Sequence, residues 1–506
     1  MLRSGTLKEL LEHGEDEAPA ISAPGRQHLT YRRLKELAAT TIVRLNELGI
    51  GRQDRVAIVL PNGPEMATAF VSIGCAATTA PLNPNYKADE FEFYLSDLKA
   101  KALVVLEKSD SPAVEVAKKL GVTIIELRVP ELAAAGAFEL SGPISGTAEM
   151  PGPAHADDIA LILHTSGTTS RPKIVPLSHT NVCTSAGNIG RSLNLTAEDI
   201  CLNVMPLFHI HGLIAAVLAS LRAGASVTCT PGFNALKFFG WLEEAKPSWY
   251  TAVPTMHQAI LARGERNPDA VTHARLRFAR SSSASLPPQV MKSLEVMWNC
   301  PVIEAYGMTE ASHQMAANPL PPAKRVPGSV GIASGPEVAI MSEDGALLKA
   351  GETGEIVIRG DNVTKGYENN PKANAEAFTN GWFRTGDQGV LTDDGYISLT
   401  GRLKEIINRG GEKISPREVD EVLMNHPSVE QVVTFALPHD KLGEDVAAAV
   451  VLKDGQLATE AELKAFAAKS LAAFKVPRTI TLLAEIPKGA TGKLQRIGMA
   501  EKLGLV

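Results

Sequence analysis

"IALILHTSGTTSRPK", residues 159 to 173, joins two unlike pieces. The first five residues form an unbroken apolar run of strand length, the pattern of a strand buried on both faces of a sheet. The next ten carry three threonines, two serines, a glycine, an arginine and a lysine around a proline. A plain connection needs no such set. Hydroxyls that can donate to phosphate oxygens, a glycine that lets the backbone approach them, and a lysine matching their charge together predict a nucleotide-phosphate loop at the end of a strand. Pro172 keeps the segment from continuing as a helix. The segment is not a Walker loop, because the second glycine and the terminal hydroxyl of GxxxxGK[ST] are missing.

Outward from this point the chain alternates. "RVAIVL" (55 to 60) precedes the helical "EMATAFVSIGCAA", and "ALVVL" (102 to 106) precedes the helical "SPAVEVAKKLG" and then "VTIIEL". Strands alternating with helices predict α/β architecture, with parallel-rich sheets packed by helices. The Pro/Gly/Ser-rich stretch 141 to 156 reads as a connector between two subdomains. From about residue 402 the order changes to helix, strand, strand, helix, strand, which predicts a small α+β unit. The expected organisation is therefore a large N-terminal domain over 1–401 and a mobile C-terminal domain over 402–506.

At 506 residues the chain is too long for one core. Its net charge of −6, with no basic stripe carrying interleaved aromatics, argues against nucleic acid as a partner. No apolar run reaches membrane-spanning length. The first twenty residues read as an amphipathic helix rather than a signal peptide. Cys75, Cys183, Cys201, Cys229 and Cys300 are scattered without CxxC spacing, so they read as reduced thiols of a cytoplasmic protein and not as metal ligands.

Further stretches give the phosphate loop a chemistry. "TSGTTSRPKIV" resembles the phosphate loop of the acyl- and aryl-adenylating (AMP-binding) superfamily, which includes the acyl-CoA synthetases. "EAYGMTE" (304 to 310), "WFRTGD" (382 to 387), "GRLKEIINRGGEKISPREVD" (401 to 420) and "PKGATGKLQR" (487 to 496) are similar to its other motifs, in the same order. The family's loop usually has glycine where this chain has Ser170 and Ile174.

The resemblance implies an AMP-forming acid–CoA ligase that uses ATP, Mg2+ and coenzyme A, with small molecules as its partners. Thr165, Ser166, Gly167, Thr168, Thr169 and Lys173 would hold the β- and γ-phosphates. Tyr306 offers a flat face to adenine, with Glu304, Ala305, Ser283 and Ala284 passing beside it. Thr309 would meet the α-phosphate, Glu310 would bind Mg2+ through hard carboxylate oxygens, and Asp387 and Arg402 would hold the ribose. Lys493 would neutralise charge at the α-phosphate and carboxylate during adenylation. Lys404 matches the family's hinge, Gly410 and Gly411 the passage for a pantetheine arm, and Lys475 a contact for coenzyme A phosphates.

For the acid, a fatty or aryl pocket should be lined by apolar or small residues. Here "MPLFHIHGL", "SSSAS" and "TEASH" bring histidines and serines instead. His209, Ser283 and His313 are assigned to the acid, with His211 as the alternative to His209. Across these stretches the chain resembles the oxalate–CoA ligases. Ala305 stands where malonate-activating relatives put an arginine. The competing readings are a ligase for another short- or medium-chain acid, or an adenylation enzyme loading a carrier protein.

Overall fold

The computed structural model describes residues 5–144, 146–165, 172–487 and 494–506. Two compact units compose it: Met1–Val338 with Ile358–Phe383, and Ala339–Val357 with Arg384–Val506.

The first unit contains a seven-stranded sheet in the order Glu139–Ser141, Thr123–Arg128, Ala102–Leu106, Arg55–Val59, Thr78–Pro81, Ile159–Thr165, Lys173–Ser178. Its centre is parallel and its two outer pairs are antiparallel. The apolar runs read from the sequence are its central strands. Helices between them are set by their ends: Pro112–Leu120 starts on a proline behind a Ser111 cap and stops at Gly121, held at φ +70°. Strand Ile159–Thr165 pairs with Thr78–Pro81 in this same sheet. The stretch 141 to 156 therefore links strands of one sheet, not two subdomains.

A nine-stranded sheet runs Ile332–Ala333, His313–Ala317, Val302–Met308, Phe278–Ser281, Trp249–Ala252, Ile200–Asn203, Ser226–Cys229, Pro19–Ser22, Leu29–Thr30. From Pro19–Ser22 to Val302–Met308 the pairing is parallel throughout. The carboxyl ends of neighbouring strands therefore open on one edge, the usual place for a ligand in an α/β sheet. The loops beginning at Val204, Ser282 and Thr309 all leave from that edge.

In the second unit, residues 387–391 of strand Trp382–Leu391 pair antiparallel with Ile397–Arg402. A second sheet has the order Glu412–Ile414, Ile407–Arg409, Gly443–Leu452, Val429–His439, with Thr479–Leu482 parallel to Gly443–Leu452. Helices Pro416–Met424 and Glu460–Ala467 bury Val419, Leu423, Leu463 and Ala467 with one face of that sheet, while Ile486 and Met499 pack with the other.

Two local expectations change. Among the described residues of the N-terminal stretch, only Leu7–Leu10, capped by a reciprocal Thr6–Glu9 pair, and the 3-10 turn Leu11–His13 are helical. His209 and His211, expected as two residues on one strand, are not so placed: His211 opens the buried π-helical segment His211–Leu218. The five cysteines are free, and burial pushes the Cys75 thiol up to about 12. Among the described residues no helix is long and apolar enough to cross a membrane.

Candidate active site

The phosphate side is built from two sheet strands and one distant segment. Ile159–Thr165 and Lys173–Ser178 pair antiparallel, with Thr165 opposite Lys173, so both ends of the expected phosphate loop are fixed side by side. Ser166, Gly167, Thr168 and Thr169 lie outside the described residues. Ile174 is buried in the core of this sheet, a packing reason for a branched side chain there. The Lys173 ammonium lies 4.4 Å from the ring centroid of Tyr367. The Tyr367 hydroxyl donates to Glu310 Oε1 at 2.8 Å. Burial, followed by the Glu310 carboxylate, holds the phenol far above its ordinary pKa, so it stays a donor. Thr364 closes the arrangement: its N–H donates to the Glu310 carbonyl and its hydroxyl to that of Pro176.

The motif residues follow from one strand and its turn. Val302–Met308 carries Glu304, Ala305 and Tyr306, all buried. The backbone N–H of Leu286 donates to Glu304 Oε1, and the Ser282 hydroxyl donates to the Ala305 carbonyl at 2.8 Å. Thr309 to Ala311 form a 3-10 turn, after which Ser312 and His313 take φ of +49° and +97°. The chain doubles back so closely that a Cβ on Gly307 would stand 1.9 Å from the His313 carbonyl oxygen. Ser283, at the end of the neighbouring strand, also has a left-handed φ of +72°. Three non-glycine residues in this costly region stand at the ends of two neighbouring strands, a pattern that clusters at ligand sites.

Two of the histidines gather beside these turns. His211 Nδ1 lies 3.0 Å from Ser283 Oγ, and the His211 and His313 rings meet edge to face at 5.0 Å. His211 and His313 are buried; Ser283 is half-buried and Ala284 exposed. His209 lies against Phe208, with ring centroids 4.6 Å apart, and is partly exposed. Because His211 opens a helix, the two histidines do not share a face in the way two residues apart on a strand would. Behind His211 sits Arg280, fully buried. Its Nη1 lies 3.3 Å from His211 Nε2, and its Nη2 donates to Gln314 Oε1 at 3.0 Å. Burial draws the Arg280 pKa down to about 9, leaving it charged at neutral pH.

In the second unit, Asp387 is buried and pairs in register with Arg402; Arg402 Nε lies 3.3 Å from Asp387 Oδ1. The preceding turn is held by Gly386 N–H and Arg384, both on the Glu355 carboxylate. Lys404 is exposed in the turn between Ile397–Arg402 and Ile407–Arg409. Gly410 and Gly411, at φ +60° and +99°, make the two-residue hairpin between Arg409 and Glu412, where positive φ at both positions favours glycine. Lys475 is engaged at 2.7 Å by both oxygens of Glu418. Lys493 lies outside the described residues; three positions on, Arg496 is anchored by Asp420, Glu405 and the Thr434 carbonyl.

Residues 11–368 match the family model described as AMP-binding enzyme, and 418–493 match AMP-binding enzyme C-terminal domain. The chain belongs to the AMP-binding enzyme family. An oxalate–CoA ligase of Arabidopsis thaliana is 45% identical, covering 97% of this chain and 98% of that one. The oxalate–CoA ligase of Saccharomyces cerevisiae is 44% identical, covering 96% and 94%. Among solved structures, ATP-bound MatB from Rhodopseudomonas palustris superposes with a TM-score of 0.86 at 28% identity, covering 98% of both chains.

As an AMP-binding enzyme the protein is an AMP-forming acid–thiol ligase with ATP and Mg2+ as cofactors. Glu310 suits the cation. Among the described residues no three His, Cys, Asp or Glu side chains gather as a metal cage. Mg2+ is commonly held by one or two carboxylates together with substrate phosphates, and when bound it neutralises developing phosphate charge. Sequence reasoning missed Tyr367, which ties Lys173 to Glu310, and Arg280, which backs His211. Tyr367 is marked in the chain only by the "KGY" of 365 to 367. Arg280 looks like any strand-end cation, and only its depth distinguishes it.

Proposed function

We propose that this protein is an oxalate–CoA ligase, converting oxalate, ATP and CoA to oxalyl-CoA, AMP and pyrophosphate through an oxalyl-adenylate. The observation that carries the reading is the polar acid pocket. Oxalate has two adjacent carboxylates and no carbon chain, so its binding energy comes from hydrogen bonds and positive charge and not from apolar burial. The His211, Ser283 and His313 cluster backed by the Arg280 cation offers that chemistry; a fatty-acid pocket would not bury a guanidinium. Two oxalate–CoA ligases at 45% and 44% identity support the same acid.

In this reading the proximal carboxylate attacks the α-phosphorus while pocket donors hold the distal one, so alignment as well as charge stabilisation lowers the barrier. Thr165, Lys173 and the segment between them take the outer phosphates, Glu310 the Mg2+, Thr309 the α-phosphate, and Asp387 with Arg402 the ribose. Lys493 acts in adenylation. Lys404 is the hinge of a C-terminal domain over 402–506, and Gly410 and Gly411 admit the pantetheine arm for the thioester step. Cellular placement in the cytoplasm belongs to the same proposal.

The test is kcat/KM for oxalate against malonate, acetate and octanoate, in the wild type and in His313→Ala. Oxalate is expected to be the best acid, and His313→Ala to lose roughly 10-fold or more on oxalate, the scale of one charge-assisted hydrogen bond. Acetate or octanoate outperforming oxalate sinks the oxalate assignment and leaves the ligase standing.

A further inference from the structure

Among the described residues the buried cation beside His211 has no counter-ion. No carboxylate pairs with Arg280 among the described residues; its hydrogen-bond contacts are His211, Thr251 and Gln314. An uncompensated buried charge costs several kcal/mol, and a packed apolar side chain would fill the space without that cost. The polarity of its contacts suggests what the charge does.

A guanidinium only donates hydrogen bonds. Gln314 must therefore turn its oxygen toward Arg280, and it does, while its amide nitrogen donates to Ser192 Oγ at 3.0 Å and Ser334 Oγ at 2.9 Å. His211 Nε2 must likewise be an acceptor, since Arg280 Nη1 faces it at 3.3 Å. Thr251 fits the same direction: its oxygen lies 3.4 Å from Arg280 Nη1 as acceptor and 2.6 Å from His211 Nε2 as donor. With Nε2 bare, the imidazole proton resides on Nδ1, 3.0 Å from Ser283 Oγ. The Ser283 oxygen then accepts, and its own hydrogen is free to point elsewhere.

We propose that Arg280 is a positioning residue for acid recognition: it fixes His211 as the Nδ1–H tautomer, so that Ser283 receives that hydrogen and turns its own O–H toward the substrate's outer carboxylate. The left-handed φ of Ser283 and its half-exposed position at the strand end place the donor at the rim of the pocket. Histidine here contributes direction rather than charge, and the positive charge belongs to Arg280 behind it. This rests on the pocket taking an acid with a second carboxylate.

The deciding measurement is the tautomer of His211 in the full-length protein labelled with 15N at histidine, its resonances assigned by their loss in His211→Gln. The expected result is a protonated Nδ1 and a bare Nε2. A wild-type His211 protonated at Nε2, or at both nitrogens, overturns the proposal whether or not any Arg280 variant folds. Kinetics supply a second reading. Arg280→Met should raise KM for oxalate roughly 10-fold or more while KM for ATP stays within about 2-fold, and Arg280→Lys, another pure donor, should recover most of the loss. A folded Arg280→Met with unchanged KM for oxalate also overturns it. Should the wild type prefer malonate, the oxalate reading falls alone, and the tautomer together with Arg280→Met assayed on malonate still decides this inference; a preference for acetate or octanoate leaves Ser283 no outer carboxylate and overturns both.

Discussion

Tyr367 shows how a single side chain joins motifs that the sequence keeps far apart. Its ring lies under the Lys173 ammonium and its hydroxyl donates to Glu310, so it touches at once the cation proposed for the outer phosphates and the carboxylate proposed for Mg2+. The hydroxyl orients one carboxylate oxygen of Glu310. Tyr367→Phe keeps the ring and its cation contact and removes only this hydrogen bond, which is worth about 1.5–3 kcal/mol when the acceptor is charged. KM for Mg2+ is expected to rise roughly 10-fold or more, with KM for the acid unchanged. A magnesium titration of the initial rate at fixed ATP checks this, and an unshifted curve removes Tyr367 from cation binding.

At the scale of elements, the turn after Val302–Met308 decides whether a site exists at all. Gly307 faces the returning backbone so closely that its Cβ would overlap the His313 carbonyl. That obstacle is backbone, so it cannot swing aside as a long side chain could. Gly307→Ala should therefore cost about 1–3 kcal/mol or more, the range of overpacked positions, and should displace His313 and Glu310 together. The expected outcome is a lowered melting temperature with losses against both ATP and acid; a stable, fully active variant would show that this turn has room to spare. The central strands and the helix after Ser415 were legible, because each is dictated by residues next to it. The His211 helix was not. "HGLIAAVL" is apolar on every face, so no periodicity separates a buried helix from a buried strand, and the choice falls to tertiary packing. Arg280 and Tyr367 were hidden for the same reason: their meaning lies in partners 29 to 194 positions away, which no local pattern encodes.

At the scale of the whole molecule, two half-reactions need two chemistries from one chain. Adenylation must neutralise charge at the α-phosphate, and thioester formation must then admit a thiol to the same carbonyl. The proposed division gives the first task to Lys493 and the change between them to Lys404. Lys404 is exposed in a turn, and among the described residues its neighbours Leu403, Glu405 and Ile406, not Lys404 itself, make the turn's backbone bonds. Proline there removes no recorded hydrogen bond but fixes φ near −65° and restricts the residue before it. Lys404→Pro should hold one arrangement, so one half-reaction should fall by roughly 10-fold or more while the other is kept. The two are separable: acid-dependent ATP–pyrophosphate exchange reports the first, and CoA acylation from pre-made acyl-adenylate reports the second. Lys493→Ala is the control for direction, since it should lose exchange by roughly 10²-fold, the scale of one removed charge-stabilising donor, and still acylate CoA. If Lys404→Pro slows both half-reactions equally, or neither, the turn is not the hinge, and the switch between the two chemistries must be sought elsewhere in the chain.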